Sequence, residues 1–314
     1  MKNNNGKKND NRLPFPESPS CARSLSRALA LATLMLPSVM TQAQDFDAVQ
    51  ISVTPLRDGI YMLQGSGGNI GLSIGDDGAF IIDDQFAPLT DKIVTAIGEL
   101  TDQPVEFVVN THFHYDHTDG NENFGRAGAY IVAQENARRR MESTQVLTNG
   151  RVQESYLPVG LPKITFFDSM RFYFNGNTVD LLNTGNGHTD GDAQIFFRDS
   201  NIMHTGDMFV RYGLPFIDQA NGGSMDGMID ALWEIDSLIN DDTILIPGHG
   251  QISNRQDLRN YREMLLVIRG NLVRAKVEGL SPQQMLDSEP AAGYAPADDN
   301  TAQWLLRAYA EYTE

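Results

Sequence analysis

The chain has 314 residues, 41% of them hydrophobic, and 24 Lys and Arg stand against 41 Asp and Glu for a formal charge of −17. That acidity argues against nucleic acid and anionic membrane as partners, because both are held by clustered cations. With Cys21 as the only cysteine no intrachain disulfide can form, so the fold must depend on its core, and the length suits one large domain.

Residues 1–44 carry six Lys and Arg and two Asp and Glu, and include an apolar run from Ala28 to Met40 followed by Thr41-Gln42-Ala43. A basic flank, an apolar stretch too short to cross a bilayer and a small-residue exit together mark a signal peptide. Residues 1–43 are therefore expected to be removed, leaving a periplasmic or secreted domain at 44–314. Its charge would be (24 − 6) − (41 − 2) = −21, and it would contain no cysteine.

After the leader, runs rich in β-branched and aromatic residues predict strands near Val49–Thr54, Gly59–Leu63, Asn69–Ile74 and Ala79–Asp83, with Gly and Asp at the turns. A helix over Thr90–Leu100 and a strand over Val105–Val109 follow. Further strands are expected near Ile164–Phe167, Thr178–Leu182, Gln194–Phe197 and Asn201–His204. Ser224 is placed to cap a helix running to about Ile239, with Met228, Leu232, Ile235 and Leu238 on one face. A strand at Ile244–Ile246 ends in Pro247-Gly248-His249, and Asn254–Thr313 reads as helical. The stretches around Ser66-Gly67-Gly68, Arg138–Gly150 and Arg211–Gly223 are expected to be loops that shape a substrate site.

The densest chemistry is His112-Phe113-His114-Tyr115-Asp116-His117, four potential metal ligands in six residues directly after a strand. Residues two apart in an extended segment point the same way, so His112 and His114 can share one metal while the following loop turns Asp116 and His117 toward another. His188 in Gly187-His188-Thr189-Asp190-Gly191-Asp192, Asp207 in His204-Thr205-Gly206-Asp207 and His249 in Pro247-Gly248-His249-Gly250 extend the set. Five histidines and two aspartates suffice for two zinc ions, although manganese and iron accept similar ligands. The sixth histidine, His204, is expected to be buried on its strand without a ligand role. Asp84 and Asp192 read as loop-closing groups.

From about Val49 to Ile252 this ordered set resembles the metallo-β-lactamase superfamily, whose signature is His-x-His-x-Asp-His followed by a later His, a bridging residue and a last His. The resemblance implies an α+β fold, a four-layer αβ/βα sandwich with metals at the shared edge of its two halves. It assigns His112, His114 and His188 to one zinc, Asp116, His117 and His249 to a second, Asp207 to a bridge, and Asp83 to bracing the histidine loop. It further implies a hydroxide held between the ions that attacks a carbonyl, with Asp116 as the catalytic group that orients it or carries a proton. Where well-known lactamases have Cys or Ser at the bridge this chain has Asp207, and where many have a substrate-gripping lysine it has Val210. Arg211 and Asn221 are the expected substrate contacts in its place. The resulting expectation is an exported zinc hydrolase of small molecules, β-lactams included. A lactonase, esterase or glyoxalase-II-like thioesterase is the alternative within that chemistry, and a metal-dependent oxidoreductase or binding module lies outside it. Oligomeric state is left open.

Overall fold

The computed structural model describes residues 45–312, so the expected signal peptide lies outside the described residues. In chain order the elements are β1 (Ser52–Pro55), β2 (Ile60–Gln64), β3 (Ile70–Gly75), β4 (Gly78–Ile82), α1 (Thr90–Gly98), β5 (Val105–Val109), α2 (Tyr115–Thr118), α3 (Asn121–Ala127), β6 (Tyr130–Gln134) and α4 (Glu135–Met141). The short hairpin β7 (Gln145–Val146) and β8 (Val152–Gln153) precedes β9 (Ile164–Phe166), β10 (Ser169–Phe174), β11 (Asn177–Leu182), β12 (Gln194–Phe197) and β13 (Ile202–His204). The chain ends with α5 (Met225–Leu238), β14 (Ile244–Ile246), α6 (Arg255–Val277), α7 (Pro282–Asp287) and α8 (Asp299–Glu311).

Local chemistry sets the turns. Asn175 and Gly176 link β10 to β11 with φ of 50° and 73°, and Phe174 pairs with Asn177 across the hairpin. Two consecutive left-handed residues make the tight turn whose twist matches the strands, and Asn-Gly adopts it at little cost. Ser224 caps α5 by accepting the Gly227 N–H at 3.0 Å, as its sequence context predicts.

Seven strands form one sheet in the order β1-β2-β3-β4-β5-β6-β9, and five form another in the order β10-β11-β12-β13-β14. The pairs β4·β5, β5·β6, β6·β9 and β13·β14 are parallel. Ile82, Val109 and Val132 of the first sheet meet Val179, Ile195 and Ile202 of the second in a core shared between the sheets. Phe80 sits there with its ring 5.6 Å from Phe172 and 6.1 Å from Phe197. On the far side of the first sheet, Ile93 and Ile97 of α1 and Phe124 of α3 cover Leu72, Ile81 and Val108. On the far side of the second, Met228 and Leu232 of α5, Leu265 of α6 and Leu305 of α8 cover Met203 and Leu245. Helix, sheet, sheet, helix is the αβ/βα sandwich expected from the sequence, and each interface removes an apolar stripe from water.

Several segments differ from the sequence reading, and β6 and β10 are strands that it did not anticipate. Arg138–Gly150 is no simple loop: it starts inside α4 and runs through β7 into the hairpin. The helical C-terminal stretch is three helices, interrupted where Ser281-Pro282 restarts the chain with a capping box to Gln284.

Candidate metal centre

Parallel strands deliver their C-terminal ends to one edge, and the site is assembled from the loops that leave them. Asp83 follows β4 and has φ of 62°, a left-handed conformation costing on the order of 1–2 kcal/mol in a residue with a Cβ. That backbone points a fully buried carboxylate into the loop after β5. Asp83 Oδ1 accepts the Thr111 N–H at 2.7 Å, and Oδ2 accepts the Thr111 hydroxyl at 2.8 Å and the His117 Nδ1–H at 2.7 Å. The loop that carries His112, His114, Asp116 and His117 is thereby tied to the neighbouring strand.

The same logic orients every histidine of the loop cluster. His112 Nδ1 lies 3.0 Å from Thr111 Oγ1, His188 Nδ1 lies 2.7 Å from the Phe216 carbonyl, and His114 Nε2 lies 2.9 Å from Asp218 Oδ2. A carbonyl or carboxylate must accept from a ring N–H, and so must the Thr111 hydroxyl, whose own hydrogen goes to Asp83; this assigns the proton to the outer nitrogen and leaves the inner nitrogen with a lone pair. The inner atoms converge: His188 Nε2 is 2.8 Å from His114 Nδ1, and His117 Nε2 is 3.2 Å from His249 Nε2. Asp116 Oδ2 lies 3.4 Å from His249 Nε2. Asp207 stands between the two groups, with Oδ2 3.7 Å from His188 Nε2 and 3.4 Å from His249 Nε2, and Oδ1 3.3 Å from His117 Nε2.

These residues form three overlapping groups, His112/His114/His188, His112/His117/Asp207 and Asp116/His117/His249, each with ligand atoms within 4.8 Å of one another. His112 Nε2 and Asp207 Oδ1 are buried without a hydrogen-bond partner. An orphaned imidazole nitrogen and an orphaned carboxylate oxygen, aimed at the same space, are costly unless a cation takes them. Imidazole and carboxylate donors in these numbers fit a divalent transition metal.

The electrostatics agree. Burial, reinforced by the neighbouring imidazoles, pushes His112 well below the usual histidine range, and burial brings His188 down to about 4. Both are neutral and ready to donate a lone pair. Burial works against charge on Asp116 and Asp207, yet His117 and His249 outweigh it: Asp116 falls to about 2 and Asp207 well below its ordinary value. The same carboxylates overcome burial at His249 and raise it to about 9. A proton holds these like and unlike charges together at a point where a divalent cation would replace it.

Close backbone approach is built in. A Cβ on Gly68 would overlap the His117 ring, and one on Gly248 would overlap Asp207 Oδ1. Both glycines therefore belong to the site.

Sequence reasoning missed the support behind His114. Asp218 is fully buried; besides His114 it accepts the Thr148 N–H and hydroxyl, both at 2.8 Å, and the Asn221 side-chain N–H at 2.7 Å. Asn221, expected to touch substrate, is instead buried at 2% exposure: its amide donates to Asp218 and Val146, and its oxygen accepts from Arg140 Nη1 at 3.0 Å. Arg140 also grips Asp190, with Nη2 at 2.6 Å. A chain of contacts thus runs from α4 to a ring nitrogen of His114. Arg211, the other expected substrate contact, places Nη1 3.3 Å from Asp257 at the start of α6, so its charge is already partnered. His204 is buried on β13 with Nε2 3.0 Å from the Asn69 carbonyl and takes no place among the metal-capable groups. Asp192 closes the His188 loop by accepting the His188 and Thr189 N–H groups at 2.8 and 2.9 Å.

An αβ/βα sandwich with histidine and aspartate clusters able to bind metal at the shared sheet edge defines a class of protein, and comparison with known proteins agrees. Residues 64–249 match the metallo-beta-lactamase superfamily. The chain belongs to that superfamily. Among solved structures it is similar to the DIM-1 metallo-beta-lactamase, at 18% identity and TM-score 0.57, covering 69% of this chain and 98% of that one. A metallo-beta-lactamase from Pontibacter korlensis gives 19% identity and TM-score 0.58, with 69% and 99% covered. At these identities the likeness is one of fold. The helices α6, α7 and α8 lie beyond the matched residues.

Proposed function

We propose that this chain is an exported dinuclear zinc hydrolase, β-lactamase-like, that opens a carbonyl substrate. The observation that carries the reading is the pairing pattern: His112, His114, His117 and His188 each spend one ring nitrogen on an outer partner and leave the other to the metal-capable groups. In this reading His112, His114 and His188 would hold one ion, Asp116, His117 and His249 would hold the other, and Asp207 would be available to both. When bound, the ions supply Lewis acidity to a carbonyl oxygen and make water nucleophilic near neutral pH.

The chain's own residues supply orientation and proton handling. Asp116, held ionised, offers Oδ2 as the acceptor that aligns a nucleophilic water and takes its proton, which it can return to the leaving atom. Asp83 and Asp218 hold the imidazole rings still, a contribution of preorganisation rather than of chemistry. The leader composition supports export, where a hydrolase meets β-lactams, lactones and esters. A lactonase or esterase is the second reading, and two observations favour it: Val210 occupies the position of a substrate-gripping lysine, and Arg211 is engaged by Asp257.

The test is a panel of a penicillin, a cephalosporin, a lactone, an ester and a thioester offered to zinc-loaded protein. Turnover of a β-lactam, abolished by chelation and by Asp116→Asn, is expected. Turnover of lactone or ester alone selects the second reading, and turnover of none, with zinc bound, defeats the hydrolase. Cell fractionation with N-terminal mass spectrometry tests export: a mature chain starting near Gln44 outside the cytoplasm is expected, and an intact leader in the cytosol contradicts it.

A further inference from the structure

Arg211 is spoken for, so recognition of a charged substrate group has to be sought elsewhere. A groove of about 340 Å³ runs between the loop 212–216 and α8. Its walls include Tyr212 and Phe216 on one side and Tyr294, Trp304 and Arg307 on the other. It adjoins the metal-capable cluster through two of its wall residues, for the Tyr212 ring lies 5.6 Å from His249 and the Phe216 ring 5.7 Å from His114.

The groove is preformed. Trp304 Nε1–H donates to the Pro215 carbonyl at 2.5 Å, and Glu311 accepts the Met225 N–H at 3.1 Å and bonds Gln219, so α8 is pinned once to the loop and once to the segment that leads into α5. On its other side the loop is held by the Phe216 carbonyl at His188. Both walls are therefore fixed before any ligand arrives, which lowers the entropic cost of binding.

Charge identifies the occupant. Arg126, Arg138, Arg140, Arg171, Arg198, Arg255, Arg259, Arg262 and Arg269 each face a carboxylate. Arg307 is half-buried on the groove wall and has neither hydrogen bond nor ion pair among the described residues. Glu311, one helical turn on and the natural partner for it, spends its carboxylate on Gln219 and Met225. Asp298, the acidic residue at the groove's far end, caps α8 by accepting the Thr301 N–H at 2.8 Å. It lies nine residues from Arg307, about 13 Å along a helix rising about 1.5 Å per residue.

We propose that this groove is the substrate's second anchor and takes a flat apolar group bearing a carboxylate, with Arg307 as the anion's partner and Tyr294 and Trp304 as the apolar wall. The proposal rests on the hydrolase reading for the word substrate, but the binding it predicts does not. An unpaired guanidinium that lines the same groove as aromatic rings matches a planar carboxylate by paired N–H donors. The helix α8 that carries Arg307 lies outside the residues that match the superfamily.

Isothermal titration of the zinc-loaded full chain with 1-naphthylacetate and its neutral amide, 1-naphthylacetamide, tests it. The wild type is expected to prefer the carboxylate by roughly tenfold or more, the range of a charge-assisted hydrogen bond. Arg307→Gln is expected to abolish that preference, Arg307→Lys to keep part of it, and Tyr294→Ala to weaken both probes alike. Equal affinity of the two probes for the wild type overturns the proposal. So does a preference that survives in a folded Arg307→Gln protein, since the carboxylate would then be held by the metal centre. Should no member of the hydrolysis panel turn over while the Arg307-dependent preference stands, the hydrolase fails and the groove does not.

Discussion

Replacing Asp218 by Asn removes half of the support behind His114 while keeping the shape of the side chain. In the folded protein Asp218 Oδ2 receives the His114 ring N–H at 2.9 Å and the Asn221 amide at 2.7 Å, and Oδ1 receives two donors from Thr148. All four partners donate, so an amide can satisfy only one pair. If its oxygen stays with Thr148, its NH₂ confronts the His114 N–H, and the ring relieves the clash by moving its proton to Nδ1, the atom that faces His188 at 2.8 Å. The lone pair needed for a metal is then lost. A hydrogen bond to a charged group contributes about 1.5–3 kcal/mol, and outer partners of metal-binding histidines are worth roughly 10–100-fold in affinity. Competition with a chromogenic chelator resolves two zinc affinities. One is expected to fall by about 10–100-fold, while the group Asp116/His117/His249, which Asp218 does not touch, keeps its affinity. Arg140→Gln, which reaches Asp218 through Asn221, is expected to weaken the same site by a smaller factor. Unchanged affinity at both sites in Asp218→Asn, or an equal fall at both, would refute the argument that this carboxylate acts through the His114 tautomer.

Asp207→Ala is expected to lose both zinc affinity and turnover, since the only carboxylate lying between the two groups disappears; His204→Ala should keep two ions. The cost of His204→Ala appears instead as stability, about 2–4 kcal/mol from a buried cavity and an orphaned Asn69 carbonyl, read by thermal unfolding. Metal loss from His204→Ala with retention in Asp207→Ala reverses the assignment on this strand. Gly248→Ala should abolish zinc binding and lower the melting temperature, because its Cβ would occupy the space of Asp207 Oδ1 and press on the backbone of Gly206 and Asp207; a variant with normal metal content contradicts that packing. On the outer face, Asp236 meets Arg255, Arg259 and Arg262 within 2.6–3.1 Å. Burial opposes its charge, but the three guanidinium groups prevail and lower its pKa. A depressed carboxylate stabilises fully above its unfolded pKa, about 4, and loses that contribution as pH falls through the folded value. The melting temperature gap between wild type and Asp236→Asn should therefore be widest near pH 6 and close toward pH 3; a constant gap argues against the ion-pair cluster.

The histidine loop was legible because its ligands are consecutive and follow a buried strand, so spacing alone conveys direction. His188, Asp207 and His249 were legible as members of an ordered set. Asp218 was not: its donors come from Thr148, Asn221 and His114, which meet only when the two halves of the sandwich close, and nothing in Phe216-Ile217-Asp218 marks it. Arg211 was read for the site from its proximity in sequence to Asp207, and the sequence did not show that the start of α6 supplies Asp257 as a partner for it. Among the strands, β6 went unread because Tyr130–Gln134 is a five-residue stretch buried between parallel neighbours, without the alternation that marks a half-exposed strand. The strand β10 also went unread although it does alternate, with Ser169, Arg171 and Tyr173 turned outward and Met170, Phe172 and Phe174 turned toward the core.

Zinc stoichiometry of the purified chain bears most directly on the whole account. After saturation with zinc and removal of free metal, elemental analysis should find two ions per chain, with one lost in His249→Ala and the other retained. A single ion at saturation, undiminished by His249→Ala, would contradict the reading of these seven side chains as one dinuclear centre.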